Sequence, residues 1–149
     1  MRTETVIKRY NPCPAGEDYL RKYETLKEAW EHCPRGDWML WLAAKLGVDK
    51  RLLVGAAGKC AGTVRHLMTD PRSIAAIDAC EAFADGKIGI AEIRTAAVAA
   101  YASAAAYASA AVYASAAAVA ADANRTQTAD ICRELLTESV MEAAERGEG

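Results

Sequence analysis

The chain has 149 residues, a formal net charge of −2, 52% hydrophobic and 26% charged residues, and five cysteines. That length suits one domain with one core, and the near-balanced charge sets up no field that would draw the chain toward nucleic acid or anionic lipid. Cys13, Cys33, Cys60, Cys80 and Cys132 are odd in number and not closely paired, and three of them lie in apolar, helical-looking stretches where a thiol packs like a small hydrophobe, which suggests a reducing, cytoplasmic setting.

"MRTETVIKRY" lacks the apolar stretch of a secretory signal. Residues 1–12 are expected to be a mobile N-terminal segment, followed by a single α-helical domain over 13–146 and a frayed tail over 147–149. After Pro12 and Pro14, Tyr19, Leu20, Tyr23, Leu26 and Trp30 recur mostly at three- or four-residue steps, the spacing of one helical face. Thr25 is placed to cap a break within that run. In "PRGDWMLWLAAKLG", Pro34 and Gly36 interrupt, Asp37 is the expected N-cap and Gly47 the expected residue after the last turn. From Trp38 to Leu46 only Lys45 is charged, so this short helix must be covered on most sides.

Asp49 is the next cap, ahead of a helical stripe formed by Leu52, Leu53, Ala56, Cys60, Val64 and Leu67. Gly55, Gly58 and Gly62 each weaken that helix by up to about 1 kcal/mol relative to Ala, and also permit close approach of a neighbour. Asp70-Pro71 starts "RSIAAIDACEAFA" and Asp85-Gly86 ends it. The last stretch begins near Ile90 and runs to about Ala144, with Asn124 the place for a break.

Within it, Thr95 to Ala121 is 27 residues without a charge, 17 of them Ala, and Tyr-Ala-Ser returns at Tyr101, Tyr107 and Tyr113. The run is long enough to cross a bilayer but lacks the Leu, Ile, Phe and Val content that makes insertion favourable. A six-residue repeat rotates by about 240° on a helix, so the tyrosines point three ways and make no single ice-binding face. Ala is a poor strand former, which argues against a β-solenoid, and the best helix former. Val98, Ala105, Val112 and Val119 drift by only about 20° per seven residues, a narrow seam on which neighbours can pack. The expected fold is all-α: one bundle of five to seven helices around a long alanine-rich central helix.

No constellation carries catalysis. Glu81 to Glu92 overlays an EF-hand loop at Asp85, Gly86, Ile88 and Glu92, but Phe83 stands where a calcium ligand belongs and reads as core. His32 and Cys33 are helix neighbours that point about 100° apart. A zinc site from Cys13, His32 and Cys33 would need a fourth ligand. There is no CxxC, HExxH, GxSxG or phosphate-binding glycine loop. No enzyme activity, metal or cofactor is therefore expected. Basic residues are scattered rather than gathered into a nucleic-acid stripe. Glu134, Glu138, Glu142 and Glu145 form an acidic ridge at near-helical intervals, and Tyr19, Tyr23, Trp30, Trp38 and Trp41 concentrate the aromatics in one fifth of the chain.

The string "EAWEHCPRGDWMLWLAAKLGVDKRLLV", the alanine-rich segment and "QTADICREL" resemble a group of small bacterial and phage-borne proteins labelled immunity proteins. The likeness runs from Cys13 to Leu135 and is sharpest at "GDWMLWL", Gly36 to Leu42; the glycines of "GAAGKCAG" stand where the group would have more alanines. The resemblance implies a cytoplasmic, non-enzymatic inhibitor that binds and blocks a toxin or nuclease. Phage carriage would instead imply an anti-CRISPR-like antagonist of a host defence complex. The motif names no catalytic residue. Candidate partner contacts are Tyr19, Tyr23 and Trp30 or the ridge Glu134, Glu138 and Glu142, and pairing of small-residue faces into a homo-oligomer is the further alternative.

Overall fold

The computed structural model describes residues 1–107 and 114–147, with side chains described at 1–99 and 124–147. Among the described residues there is no strand, and eight α-helices follow one another: α1 Thr3–Tyr10, α2 Pro14–Leu20, α3 Leu26–Glu31, α4 Gly36–Leu46, α5 Lys50–Gly62, α6 Pro71–Ala84, α7 Ile90–Tyr107 and α8 Ala114–Arg146. A 3₁₀ turn, Arg65–Leu67, joins α5 to α6. The chain is all-α, with more helices than the five to seven expected.

The helix ends are set by local hydrogen bonds. Thr25 accepts from the Glu28 amide while the Glu28 carboxylate accepts from the Thr25 amide, a capping box that starts α3. Asp49 accepts from Arg51 and Leu52 N–H, and Asp70 from Arg72 N–H with Pro71 at the first helical position. Gly47 ends α4 at φ 79° and Gly86 follows α6 at φ 76°, both in the left-handed region that glycine enters without strain. Asp37 is a correction: α4 starts two residues earlier than an Asp37 cap requires, at Gly36 with Arg35 as N-cap. The Asp37 carboxylate instead takes a forked pair of bonds from the Arg35 guanidinium at 3.0 and 2.6 Å.

Residues 1–12, expected to be a mobile segment, carry a packed helix. Val6 is fully buried, and the Thr3 hydroxyl donates to the Tyr23 carbonyl at 2.6 Å. The Leu26 amide donates to the Met1 carbonyl at 2.9 Å, so the start of the chain closes over the start of α3. The hydrophobic side of α1 is only Val6, Ile7 and Tyr10 among charged residues, a signal too short to register as a periodic run. At the other end Arg9 donates to the Gly147 carbonyl at 2.6 Å; residues 148 and 149 of the expected tail lie outside the described residues.

The core follows the second half of α8. Ala129, Cys132, Leu136, Val140, Ala143 and Ala144 are buried and recur at one-, three- and four-residue steps, one stripe of a helix. Against that stripe lie α3, α4 and α5; α6 packs on α5, and α7 on α6. Two glycines set the spacing. A Cβ on Gly36 would stand 2.6 Å from the Thr128 backbone, and one on Gly58 would stand 2.5 Å from the Cys80 Cβ. Only hydrogen at those Cα atoms lets α4 meet α8, and α5 meet α6, this closely.

The described part of the alanine run, residues 95–99, lies outside the core. Val98, the first residue of the expected seam, is 70% exposed. Ala105, Val112 and Val119, with the three tyrosines of the repeat, fall outside the residues whose side chains are described. Leu67, expected to extend the α5 stripe, is 68% exposed because α5 stops at Gly62. No helix among the described residues is long and apolar enough to cross a membrane.

Candidate functional site: an aromatic pocket between three short helices

The proline-punctuated linkers and short helices of the first third of the chain leave a cavity of about 310 Å³ between α2, α3 and α4. Its walls are Tyr19, Trp30, Trp38 and Trp41 with Leu20, Leu26, Met39 and Leu42, and Pro12, Cys13 and Asp37 also line it. Helices of six, seven and eleven residues cannot bury a continuous apolar face against one another. Large rings bridge the gaps that remain.

The rings hold each other. Tyr19 lies 5.3 Å from Tyr23 and 5.6 Å from Trp38 between ring centres, tilted in both cases, and Tyr23 stacks on His32 at 5.7 Å. The Arg35 guanidinium sits 4.4 Å over the Trp38 ring while its donors grip Asp37, so one cation fixes both the rim carboxylate and an aromatic wall. The same pairing holds the Asp37 carboxyl below its usual range.

Several polar atoms in the walls are already engaged. The Tyr19 hydroxyl donates to the Ala29 carbonyl at 2.8 Å, and burial above all, then its bond with Tyr23, pushes its phenol above the ordinary value. The Trp30 N–H donates to the Thr137 hydroxyl on α8 at 2.8 Å. Arg133, also on α8, donates to the Cys33 carbonyl at 2.7 Å and so closes the exposed end of α3. Burial raises the Cys33 thiol, which points at the Arg35 carbonyl. What the pocket offers is mainly apolar surface, with the Tyr19 hydroxyl and the Trp30 N–H engaged elsewhere, a chemistry suited to receive an apolar group.

The expected contact residues divide. Tyr19 lines the pocket, and Tyr23 braces it from behind at partial exposure. Trp30 is 2% exposed and belongs to the core, reaching the pocket only as part of its wall. Glu134, Glu138 and Glu142 are exposed on the side of α8 opposite its buried stripe, and none of them lines the pocket. Glu142 faces Arg146 at 3.8 Å. His32 is exposed with its Nδ1 at 2.9 Å from the Glu28 carbonyl, and among the described residues no three His, Cys, Asp or Glu side chains gather to hold a metal ion. Sequence reasoning placed the aromatics together but missed the role of Cys13, Pro12 and Asp37 at the pocket, since nothing local ties those three positions to one opening.

No family model, curated protein or solved structure matches the chain.

Proposed function

We propose that the protein is a small non-enzymatic inhibitor that acts by binding another protein, in the manner of immunity proteins, with the aromatic pocket taking an apolar side chain of its target. The observation that carries this reading is the pocket itself: an apolar cavity of about 310 Å³ walled by braced aromatic rings and rimmed by one arginine-held carboxylate. An aromatic side chain seated there would bury roughly 150–250 Å², worth on the order of 4–6 kcal/mol before the costs of association. That is an anchor and not a whole interface, so the target must also touch the surrounding rim. In this reading the target is a toxin or nuclease, or a host defence complex if the protein is phage-borne, and the setting is the reducing cytoplasm, which the packing of Cys33, Cys60 and Cys132 as buried thiols supports.

The test is capture from the native host by the full chain and by two variants. Trp38→Ala opens the pocket wall at a partly exposed position, whereas Glu138→Lys alters the ridge. A protein retained stoichiometrically by the wild type and by Glu138→Lys, lost on Trp38→Ala, and whose own activity is blocked by the purified chain is the expected result. Equal retention by all three would move the contact away from the pocket, and a retained protein that keeps its activity would remove the inhibitor reading.

One observation favours a second reading. Val98 and Ile90 on α7 are 70% and 42% exposed, which suits pairing of small-residue faces between copies, with the alanine-rich helix as the shared spine. Light scattering after size exclusion separates the two: a monomer at micromolar concentration removes the homo-oligomer.

A further inference from the structure

Helices α5 and α8 cross where Cys60 meets Cys132, 72 residues apart in sequence, with their sulfurs 3.9 Å apart. No hydrophobic side chain separates them. Cys132 is fully buried and points at the Gly36 carbonyl at 3.6 Å, while Cys60 points at the Thr128 carbonyl at the same distance. Cys60 also lines a groove of about 400 Å³ between α4, α5 and α8, whose other walls include Arg35, Asn124, Arg125 and Thr128. The two thiols therefore differ: Cys60, 8% exposed, borders a largely apolar groove with room for a small molecule, and Cys132, with no exposure, waits behind it.

We propose that Cys60 and Cys132 are an oxidative modification site, closing to an intramolecular disulfide when the protein meets a hydroperoxide. The Cys60 sulfur, reached through the groove, attacks one oxygen of hydrogen peroxide as a thiolate; the O–O bond breaks, Cys60 becomes a sulfenic acid, and the leaving hydroxide takes up the proton that the Cys60 thiol released, departing as water. The Cys132 sulfur then attacks the Cys60 sulfur, the S–O bond breaks, and the departing hydroxide takes the Cys132 proton as water. In sum two thiols and one peroxide give one disulfide and two waters. Donation from Cys132 favours the thiolate at Cys60 and lowers its pKa, and the same bond together with burial raises Cys132, which matches the order of attack. Bond formation brings the sulfurs about 1.9 Å closer than their 3.9 Å separation, a movement within reach of a rotamer change plus a small helix shift. The product staples α5 to α8 and encloses the whole alanine run in a covalent loop.

The experiment uses the full chain, reduced, in wild-type and Cys13→Ser forms, the latter to remove chemistry at the exposed thiol. Each is treated with a slight excess of hydrogen peroxide, alkylated under denaturing conditions and mapped by mass spectrometry without reductant. The expected result is a monomer carrying two fewer alkyl groups than the reduced control, a linked peptide containing Cys60 and Cys132, reversal by dithiothreitol, and an unfolding midpoint raised by about 5–15 °C. In Cys132→Ser, dimedone should label Cys60. Recovery of Cys60 and Cys132 as separate alkylated peptides in the wild type, or linkage of either to a different cysteine, overturns the proposal whether or not Cys132→Ser folds.

Discussion

Gly36→Ala tests one of the two closest helix approaches among the described residues. A methyl group there would lie 2.6 Å from the Thr128 carbonyl carbon, 2.6 Å from its Oγ1 and 2.7 Å from its Cβ. Ordinary carbon contacts are about 3.5–4.0 Å, so α4 must retreat from α8 by roughly 1 Å. The obstacle includes backbone, which no side-chain rotation relieves. Overpacking of this kind costs about 1–3 kcal/mol, and Ala returns only a fraction of the roughly 1 kcal/mol it gains over Gly in a helix interior, because Gly36 is the first residue of α4. A net loss of about 1–3 kcal/mol corresponds to a fall of roughly 3–9 °C in a domain of this size. Thermal and urea unfolding followed by helical circular dichroism would report it. Thr128→Ala added to Gly36→Ala should restore little, since the backbone carbon and Cβ remain. Gly62→Ala is the control: nothing lies within 4 Å of its Cβ position, so the midpoint should hold or rise slightly. A Gly36→Ala protein at least as stable as the wild type would refute the close-contact account of how α4 meets α8.

Other outcomes follow from the same packing. Leu136→Ala empties a fully buried position in the middle of the α8 stripe and should cost about 2–5 kcal/mol in urea unfolding. Thr25→Ala removes the hydroxyl half of the capping box at α3, leaving the residue-25 N–H on the Glu28 carboxylate, and should cost about 0.5–2 kcal/mol, with the loss showing in the fluorescence of the tryptophans around the pocket. The Asp37 carboxyl is held below the usual aspartate value of 3.8 by Arg35, so its contribution is present above pH 4 and is lost as pH falls through the lowered folded value. Asp37→Asn should therefore flatten the stability profile below about pH 4 and leave its shape at pH 6–8 unchanged. A profile identical to the wild type in acid would detach Asp37 from any such role.

Much of the helix punctuation was legible in the chain itself. Thr25, Asp49 and Asp70 cap what they were expected to cap, Gly47 and Gly86 end helices in the left-handed region, and Phe83 is core. These outcomes depend on hydrogen bonds reaching two to four residues along the backbone, which neighbouring residues decide. The aromatic concentration around Tyr19 and Trp41 was also visible as composition.

What lies on the inside was decided by partners distant in sequence. Among the residues whose side chains are described, the buried stripe of α8 belongs to Cys132, Leu136 and Val140, which face α3, α4 and α5. Trp30 is core because Thr137, more than a hundred residues on, takes its N–H. Val6 is buried where α1 packs against α2 and α3, and Cys60 meets Cys132 where α5 crosses α8, 72 residues apart in the chain. Local chemistry sets where a helix begins and ends; which of its sides meets water is settled only when the other helices arrive, since burial is a property of the contact and not of the segment.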